Sequence, residues 1–161
     1  MESRREIFRR LREALGSHPV WGDVVKAAPS NIRVHLAIFK EPYLQFIIDG
    51  KKKIETRFSR KLFPPFEQAS AGDIILLKRA GGAVRGLCRV EKVWFYRLER
   101  GSLEIIKEKF GPAICPVDES FWNERRGALF ASLIWVGEFA PLDDFLVEKR
   151  DRRGWVIFRD G

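Results

Sequence analysis

The sequence predicts an α+β fold, a small mixed β-barrel of about six strands with helices packed outside it. Between residues 32 and 39, apolar and polar side chains alternate strictly, which is typical of a β-strand. Further along, Gly81-Gly82 separates two apolar runs, residues 74–79 and 84–96, and such a pair indicates a tight hairpin. Helical segments stand between the strands. Long curved strands joined by hairpins favour a barrel over a parallel sheet.

The first 31 residues are predicted to be a basic amphipathic helix and a linker. Residues 2–15 place Ile7, Leu11, Ala14 and Leu15 on one stripe, with arginines around it. Residues 16–31 are rich in glycine and proline, which end helices, and are predicted to lie over the rest of the chain. We therefore divide the chain into an N-terminal segment, residues 1–31, and one domain, residues 32–161.

The domain begins with a strand at residues 32–39 that is predicted to be half-buried, with His35 on its polar face. A helix opened by Pro42 and ended by Gly50 leads into a second strand, residues 53–59. The strand after the hairpin is long, so a bulge is expected, at Gly86. The remaining predicted elements are a helix at 102–110 capped by Ser102 and stopped by Gly111-Pro112, a short helix at 118–126, and strands at 128–136 and 155–159.

Composition bounds the function. The chain has 161 residues, 45% of them hydrophobic, which is enough for a packed core and argues against disorder. A formal net charge of +8 favours a polyanionic partner, although a basic protein can also be merely soluble. Two cysteines and two histidines give no zinc knuckle and no disulfide framework. No segment has the length of a membrane span, and the N-terminus lacks the apolar core of a signal peptide, so we expect a cytoplasmic protein without membrane contact.

The most informative stretch is Gly50 to Arg57, where a helix stop is followed by lysines and a strand. Glu55 and Arg57 are two residues apart and therefore project to the same face of that strand. Residues 51–61 carry six cations against one carboxylate, Glu55, a local charge of +5 that favours phosphate binding. The candidate nucleic-acid-binding residues are Lys51, Lys52, Lys53, Arg57, Arg60 and Lys61.

These residues resemble the ASCH domain, a branch of the PUA-like superfamily. Gly50, Lys52, Glu55 and Arg57 fit a motif of the form G-x-K-x-x-E-x-R. Gly72-Asp73 then opens an apolar strand, the stretch from Gly86 fits G-x-x-x-V, and residues 128–136 resemble the closing strand of the family. The resemblance covers residues 32–139. One departure is Lys53, at a position where the family often has threonine.

The resemblance implies a PUA-like barrel whose cleft takes a nucleotide or single-stranded nucleic acid. Relatives bind RNA or modified bases, and some resemble ribonucleases or small hydrolases. We therefore expect Lys52, Glu55 and Arg57 to line one pocket, with Lys52 closer to solvent than Glu55. Our first hypothesis is a nucleic-acid-binding module for RNA or single strands, in which Glu55 accepts from a base and Arg57 donates to a base or phosphate.

A second hypothesis is an enzyme of the same family, with Lys52, Glu55, Tyr43 and Ser132 as candidate catalytic residues. In a ribonuclease, Lys52 would stabilise the pentacovalent phosphate while Glu55 or Tyr43 moves a proton. A divalent metal enters only in that case, and no metal site or other cofactor is indicated. An amidohydrolase acting on a modified nucleoside such as N4-acetylcytidine would use a threonine where Glu55 stands; Thr56 is adjacent but on the opposite face. A third hypothesis is a protein-interaction module that uses the arginine-rich helix.

Several candidates have a structural as well as a functional interpretation. Tyr43 is either core or a base-stacking ring. A mid-strand serine such as Ser132 is usually hydrogen-bonded to backbone, and a lone histidine such as His35 is more often structural than catalytic. Residues 94–96, three consecutive aromatics near arginines, suit base stacking and a packed barrel rim equally.

Overall fold

The computed structural model describes residues 1–149 and 152–161, which form five helices and seven strands. The predicted class is confirmed: a mixed sheet with helices packed outside. The helices are α1 (Arg4–Leu15), α2 (Gly22–Ala27), α3 (Tyr43–Ile48), α4 (Ser102–Ile114) and α5 (Ser120–Asn123). The strands are β1 (Val34–Phe39), β2 (Ile54–Ser59), β3 (Ile74–Arg79), β4 (Val84–Arg97), β5 (Phe130–Val136), β6 (Ala140–Phe145) and β7 (Trp155–Phe158). Strand β6 was not predicted.

The strands follow the order β2-β5-β4-β3-β1-β7, with β6 paired to β4 beside this path. Only β1 and β3 run parallel among the described pairs; β3 and β4 form the predicted antiparallel hairpin. Since no described pairing joins β2 to β7, the sheet is not closed into a barrel by strand hydrogen bonds. An open gap therefore separates the two ends of the sheet, and the candidate site lies in that gap.

Strand β4 holds the sheet together because it pairs with three partners. Its first half pairs with β3 and β6, and its second half pairs with β5. The predicted irregularity near Gly86 is present, since the pairing with β6 shifts between Val84 and Gly86. A second shift, between Val90 and Lys92, was not predicted and separates the two halves of the strand.

Strand β1 is buried on both faces, so the prediction of a half-buried strand was wrong. Val34 and Leu36 belong to one hydrophobic cluster and Ala37 to another, on the other side of the sheet. His35, assigned to a polar face, is 0% exposed. The reason is position: β1 lies between β3 and β7 in the interior of the sheet, where both faces are covered.

Helix α1 contributes to the same core as the sheet. Ser3 caps it, in a capping box with Glu6. Ile7, Phe8 and Leu11 are buried in the cluster that includes Val34 and other sheet residues. Ala14, predicted on the apolar stripe, is exposed. The N-terminal segment therefore shares its hydrophobic core with the residues that follow it.

Helix α4 continues past the predicted stop at Gly111-Pro112 and ends at Ile114. Cys115 follows in the left-handed conformation, with φ 57°, and its amide donates to Gly111 O. The carbonyls at the end of the helix have partners from outside it: Lys53 N donates to Ala113 O and Lys52 Nζ to Ile114 O. These bonds stabilise the turn that proline alone would disfavour. At the other end, the cap is Gly101 rather than Ser102.

The close approach of β4 to β6 requires glycine at position 86. A Cβ there would collide with Ala140 O and with the Phe139 ring. We expect Gly86→Ala to lower the free energy of unfolding by about 1–3 kcal/mol, as overpacking does. Gly127→Ala is the matched control, because the nearest atom to its Cβ is the end of the Arg60 side chain, 3.6 Å away. Urea unfolding measures both; equal stability of the two variants would contradict the close approach.

Candidate functional site

The gap between the two ends of the sheet forms a cleft of about 1010 Å³. Lys52, Glu55 and Arg57 all line it, so the predicted grouping of these three residues in one pocket is confirmed. The end of β1 and the start of α3 form one wall, with Phe39 and Tyr43. The segment around α5 contributes Phe121 and Arg125. The cleft thus combines charged groups from β2 with aromatic rings from its walls.

Arg57 bridges the gap with its side chain. Its Nη2 donates to Ile38 O of β1 at 2.9 Å and to Glu55 Oε2 at 3.0 Å, and its Nη1 donates to Gly154 O at 2.9 Å. The guanidinium lies 5.1 Å from the ring centres of both Phe39 and Trp155. Because β2 and β7 are the two ends of the strand order, these contacts join parts of the sheet that no backbone pairing connects.

Glu55 is paired on both oxygens. Oε1 accepts from the Thr56 amide at 2.8 Å and lies 3.6 Å from Lys52 Nζ, while Oε2 accepts from Arg57. The residue is 7% exposed. The three side chains form one network with a net positive charge.

Lys52 is more buried than Glu55, so the prediction that it lies closer to solvent was wrong. It is 2% exposed, and its Nζ donates to Ile114 O at 2.6 Å. The ammonium therefore lies at the C-terminus of α4, where the helix dipole favours a cation. Burial lowers the pKa of Lys52, and the neighbouring Glu55 opposes that shift. Lys52 thus lies on the floor of the cleft, with its ammonium bound to Ile114 O instead of extended into solvent.

The six cations of residues 51–61 do not form one surface. Only Lys52 and Arg57 line the cleft. Lys51 and Lys53 are exposed before β2, and Arg60 and Lys61 are exposed after it. Strand β2 has six residues and spans roughly 20 Å at the usual rise, which separates the two pairs.

Other cations surround the cleft, from parts of the chain distant in sequence. Among the described residues, the lining contains eight cationic and four acidic ones. The cations that the sequence analysis missed are Lys40, Lys78, Arg125, Lys149, Arg152 and Arg153. The basic run before β7 was a signal for the last three; the others are brought in by the topology alone.

Tyr43 packs against aromatic neighbours and also lines the cleft. Its ring packs against Phe46 and Phe121, with centroids 6.1 Å and 5.9 Å away. It nevertheless lines the cleft, and Lys52 Nζ lies 5.3 Å from its ring centre. The phenol oxygen accepts from the Val117 amide at 3.3 Å. The Tyr43 ring is thus part of the cleft wall, and its contacts with Phe46, Phe121 and the Val117 amide hold it in place.

Ser132 lies outside the cleft, in a neighbouring cavity of about 510 Å³. It is opposite Arg57 in the pairing of β2 with β5, and Arg57 lines both cavities. Ser132 is 1% exposed, and its hydroxyl has no hydrogen-bond partner. The expectation that backbone would satisfy this hydroxyl was wrong.

His35 is the middle member of a buried chain of hydrogen bonds from Trp155 to Asp73. Its Nδ1 accepts from the Trp155 indole N–H at 2.9 Å, which leaves Nε2 to donate to Asp73 Oδ2 at 2.9 Å. Burial alone would raise the pKa of Asp73, but hydrogen bonds from His35 and from the Arg33 and Ser70 amides outweigh it and lower that pKa. These hydrogen bonds fix the plane of the Trp155 ring, against which the Arg57 guanidinium lies.

The aromatic residues 94–96 pack against neighbouring elements. Trp94 contacts Phe110 of α4 at 4.9 Å between centroids, and Phe95 contacts Phe66 at 5.5 Å. Neither ring lines the cleft. Within the described residues, no group of three or more His, Cys, Asp or Glu could hold a metal ion. No helix in the described ranges is both long and apolar enough to cross a membrane.

Comparison with known proteins identifies the fold. No known family profile and no curated protein matches the chain. The ASCH protein from Zymomonas mobilis matches over 78% of this chain and 87% of its own, with a TM-score of 0.60 and 14% identity. Two variants of that protein, one with a tyrosine replaced by phenylalanine and one with a serine replaced by alanine, match over 78% of this chain with TM-scores of 0.60 and 0.59. These two matches cover 90% and 88% of the variant chains, at 13% and 14% identity.

The chain therefore has the fold of an ASCH domain. The resemblance read from its motifs is confirmed at the level of the fold.

The position of Lys52 leads to a test with its neighbour as control. Lys52→Met removes the charged donor from Ile114 O and Glu55, so we expect the free energy of unfolding to fall by about 1–3 kcal/mol. Lys51→Met should change it by less than about 0.5 kcal/mol, because Lys51 is exposed. Hydrogen exchange should also accelerate at the Lys53 and Cys115 amides in the first variant alone. Similar behaviour of both variants would exclude a capping role for Lys52.

Proposed function

We propose that this protein binds nucleic acid, RNA or single strands, with one nucleotide in the cleft. The observation that carries the proposal is the composition of that cleft: a floor of fixed hydrogen-bonding groups, aromatic walls, and an excess of cations at the rim. Its volume, about 1010 Å³, is at the upper end of ligand sites and accommodates a nucleotide with room to spare. Duplex nucleic acid does not enter such a cleft without unpairing, whereas an unpaired nucleotide does.

In this proposal the rim and the floor have different tasks. Exposed cations such as Lys40 and Arg152 contact phosphates, which position the strand without reading its sequence. Glu55 is an acceptor and Arg57 a donor, and both are held by the bridge across the gap. A base beside them would meet groups that need no rearrangement, and Tyr43 offers a ring for stacking. Lys52 supports this floor without contacting phosphate.

A second candidate function is hydrolysis, and the buried Lys52 beside Glu55 is the observation that favours it. A lysine whose pKa is lowered by burial lies next to a carboxylate on the floor of a cleft, an arrangement common at active sites. A ribonuclease could use Tyr43 or Glu55 to move a proton. Support for an amidohydrolase is weaker. Its threonine would stand at position 55, where this chain has glutamate, and the amide of the adjacent Thr56 is bound to Glu55.

The protein-interaction hypothesis has less support from the N-terminal helix. Arg4 donates to the Pro29 and Ile32 carbonyls, Arg10 pairs with Glu2, and Arg9 pairs with Glu13. These arginines serve contacts within the chain.

Charge reversal at the rim tests nucleic-acid binding. For the unmodified protein, log affinity for a short single-stranded RNA should fall linearly with log salt, with a slope of about −2 to −3.5 if three to five phosphates are contacted. Lys40→Glu with Lys78→Glu should weaken binding and bring the slope closer to zero by about 1.4 or more, since two phosphate contacts are lost. Fluorescence anisotropy at several salt concentrations measures both quantities.

Lys26→Glu with Lys109→Glu is the matched control. It makes the same change in net charge at exposed lysines that do not line the cleft. Equal loss of affinity in the two double variants would mean that binding depends on net charge and that the cleft is not the site.

Turnover assays separate binding from hydrolysis. Purified protein is incubated with labelled single-stranded RNA and, separately, with N4-acetylcytidine, each with and without Mg²⁺ or Mn²⁺. For a ribonuclease we expect cleavage of the RNA that Tyr43→Phe and Lys52→Met reduce by tenfold or more, the usual effect of losing an acid–base or electrostatic group. RNA that is bound and recovered intact, with no deacetylation, supports binding alone.

A further inference from the structure

We propose that the smaller cavity beside the cleft is a second subsite, for the base of the nucleotide adjacent to the one in the cleft. The proposal rests on the proposed function, since it assumes that a strand lies in the cleft. The cavity has a volume of about 510 Å³ and is lined by Arg57, Ser132 and Trp155 together with residues 63–65.

The first observation is the hydroxyl of Ser132. It is buried in the wall of this cavity and has no hydrogen-bond partner. Leaving a buried hydroxyl unsatisfied costs about 1–3 kcal/mol, so such groups are rare in folded proteins. Its neighbours along β5, Ala131 and Leu133, are fully buried and apolar. A ligand with an acceptor or donor at this position would satisfy the hydroxyl, whereas an alanine would serve packing equally well.

The second observation is the shape and polarity of the walls. Phe63, 51% exposed, lies at the cavity together with Pro64 and Pro65. On the other side, Trp155 is only 3% exposed and its indole N–H is used by His35, so it closes the cavity with apolar surface and no free donor. Flat apolar groups with one free hydroxyl suit a planar heteroaromatic ring, which stacks by its faces and bonds by its edge.

The third observation is the relation between the two cavities. Arg57, Arg152 and Arg153 line both of them, as do Phe58 and Gly154. Two bases in the two cavities would therefore be joined by a backbone that passes along arginines, the side chains best suited to phosphate. A single nucleotide has one base and can fill only one of the two base sites. The chemistry thus favours at least a dinucleotide as ligand.

Two ligands and two variants test the subsite. The probes are an RNA dinucleotide and the same dinucleotide with its second base removed. The unmodified protein should bind the intact probe about 5- to 160-fold more tightly, the range expected for stacking of one base. Phe63→Ala should remove most of that advantage without changing affinity for the abasic probe. Ile105→Ala is the control, because Ile105 is similarly exposed, at 58%, and lines neither cavity.

Ser132→Ala provides a readout that a merely structural serine would not give. Because it removes an unsatisfied hydroxyl, it should raise the urea midpoint of the free protein while weakening the intact dinucleotide several-fold. A serine that serves only the fold would lose stability on the same change. A lowered midpoint, or an intact dinucleotide bound no better than the abasic probe, would overturn the subsite. If the Lys40→Glu, Lys78→Glu variant binds the RNA normally, the proposed function itself fails, so the two failures are distinguishable.

Discussion

The site depends on the hydrogen bonds of the Arg57 side chain, because they connect the two ends of an open sheet. Strand β2 is one end and β7 the other, and their backbones are not paired. The guanidinium reaches across to Ile38 O and Gly154 O while it remains paired with Glu55. Arginine suits this position because its planar, always charged fork can donate several hydrogen bonds at once and stack between rings. A sheet closed by backbone hydrogen bonds would have no cleft here; a sheet left unbridged would have no fixed floor.

The bridge in turn depends on burial elsewhere. Trp155 contacts the guanidinium and is held by His35, which is bound to Asp73 at the start of β3. On the opposite side, Lys52 connects Glu55 to the end of α4. Each of these polar groups is buried and paired, so removing one would leave a partner without its bond, which costs more than the bond contributes. The orientation of Arg57 is therefore determined by three separate parts of the chain.

The sequence predicts local features of this site well and its surroundings poorly. The alternation of side chains in a strand suffices to place Glu55 and Arg57 on one face, and the Gly81-Gly82 hairpin follows from turn chemistry. The burial of Lys52 could not be predicted, because it depends on the end of α4. That helix continues past Pro112, and its last carbonyl, Ile114 O, accepts from Lys52 across 62 residues of sequence. For the same reason Lys40, Lys78 and Arg152 were missed as cleft residues, while the local +5 charge overestimated residues 51–61. Charge density along the chain predicts a basic protein; only topology decides which cations share a surface.

Under the proposed function, the bridged gap couples recognition to stability. The groups that would read a base, Glu55 and Arg57, are the groups that hold β2 to β1, so neither can be optimised for a ligand without affecting the sheet. The exposed rim cations and the walls of the smaller cavity carry no such constraint, since Lys40, Phe63 and Arg152 lie at or near the surface. Under the proposed function, substitutions at those positions should therefore change ligand preference most readily while the Lys52–Glu55–Arg57 network stays the same. That division, a fixed floor beneath an adjustable rim, follows from where the backbone pairing of the sheet stops.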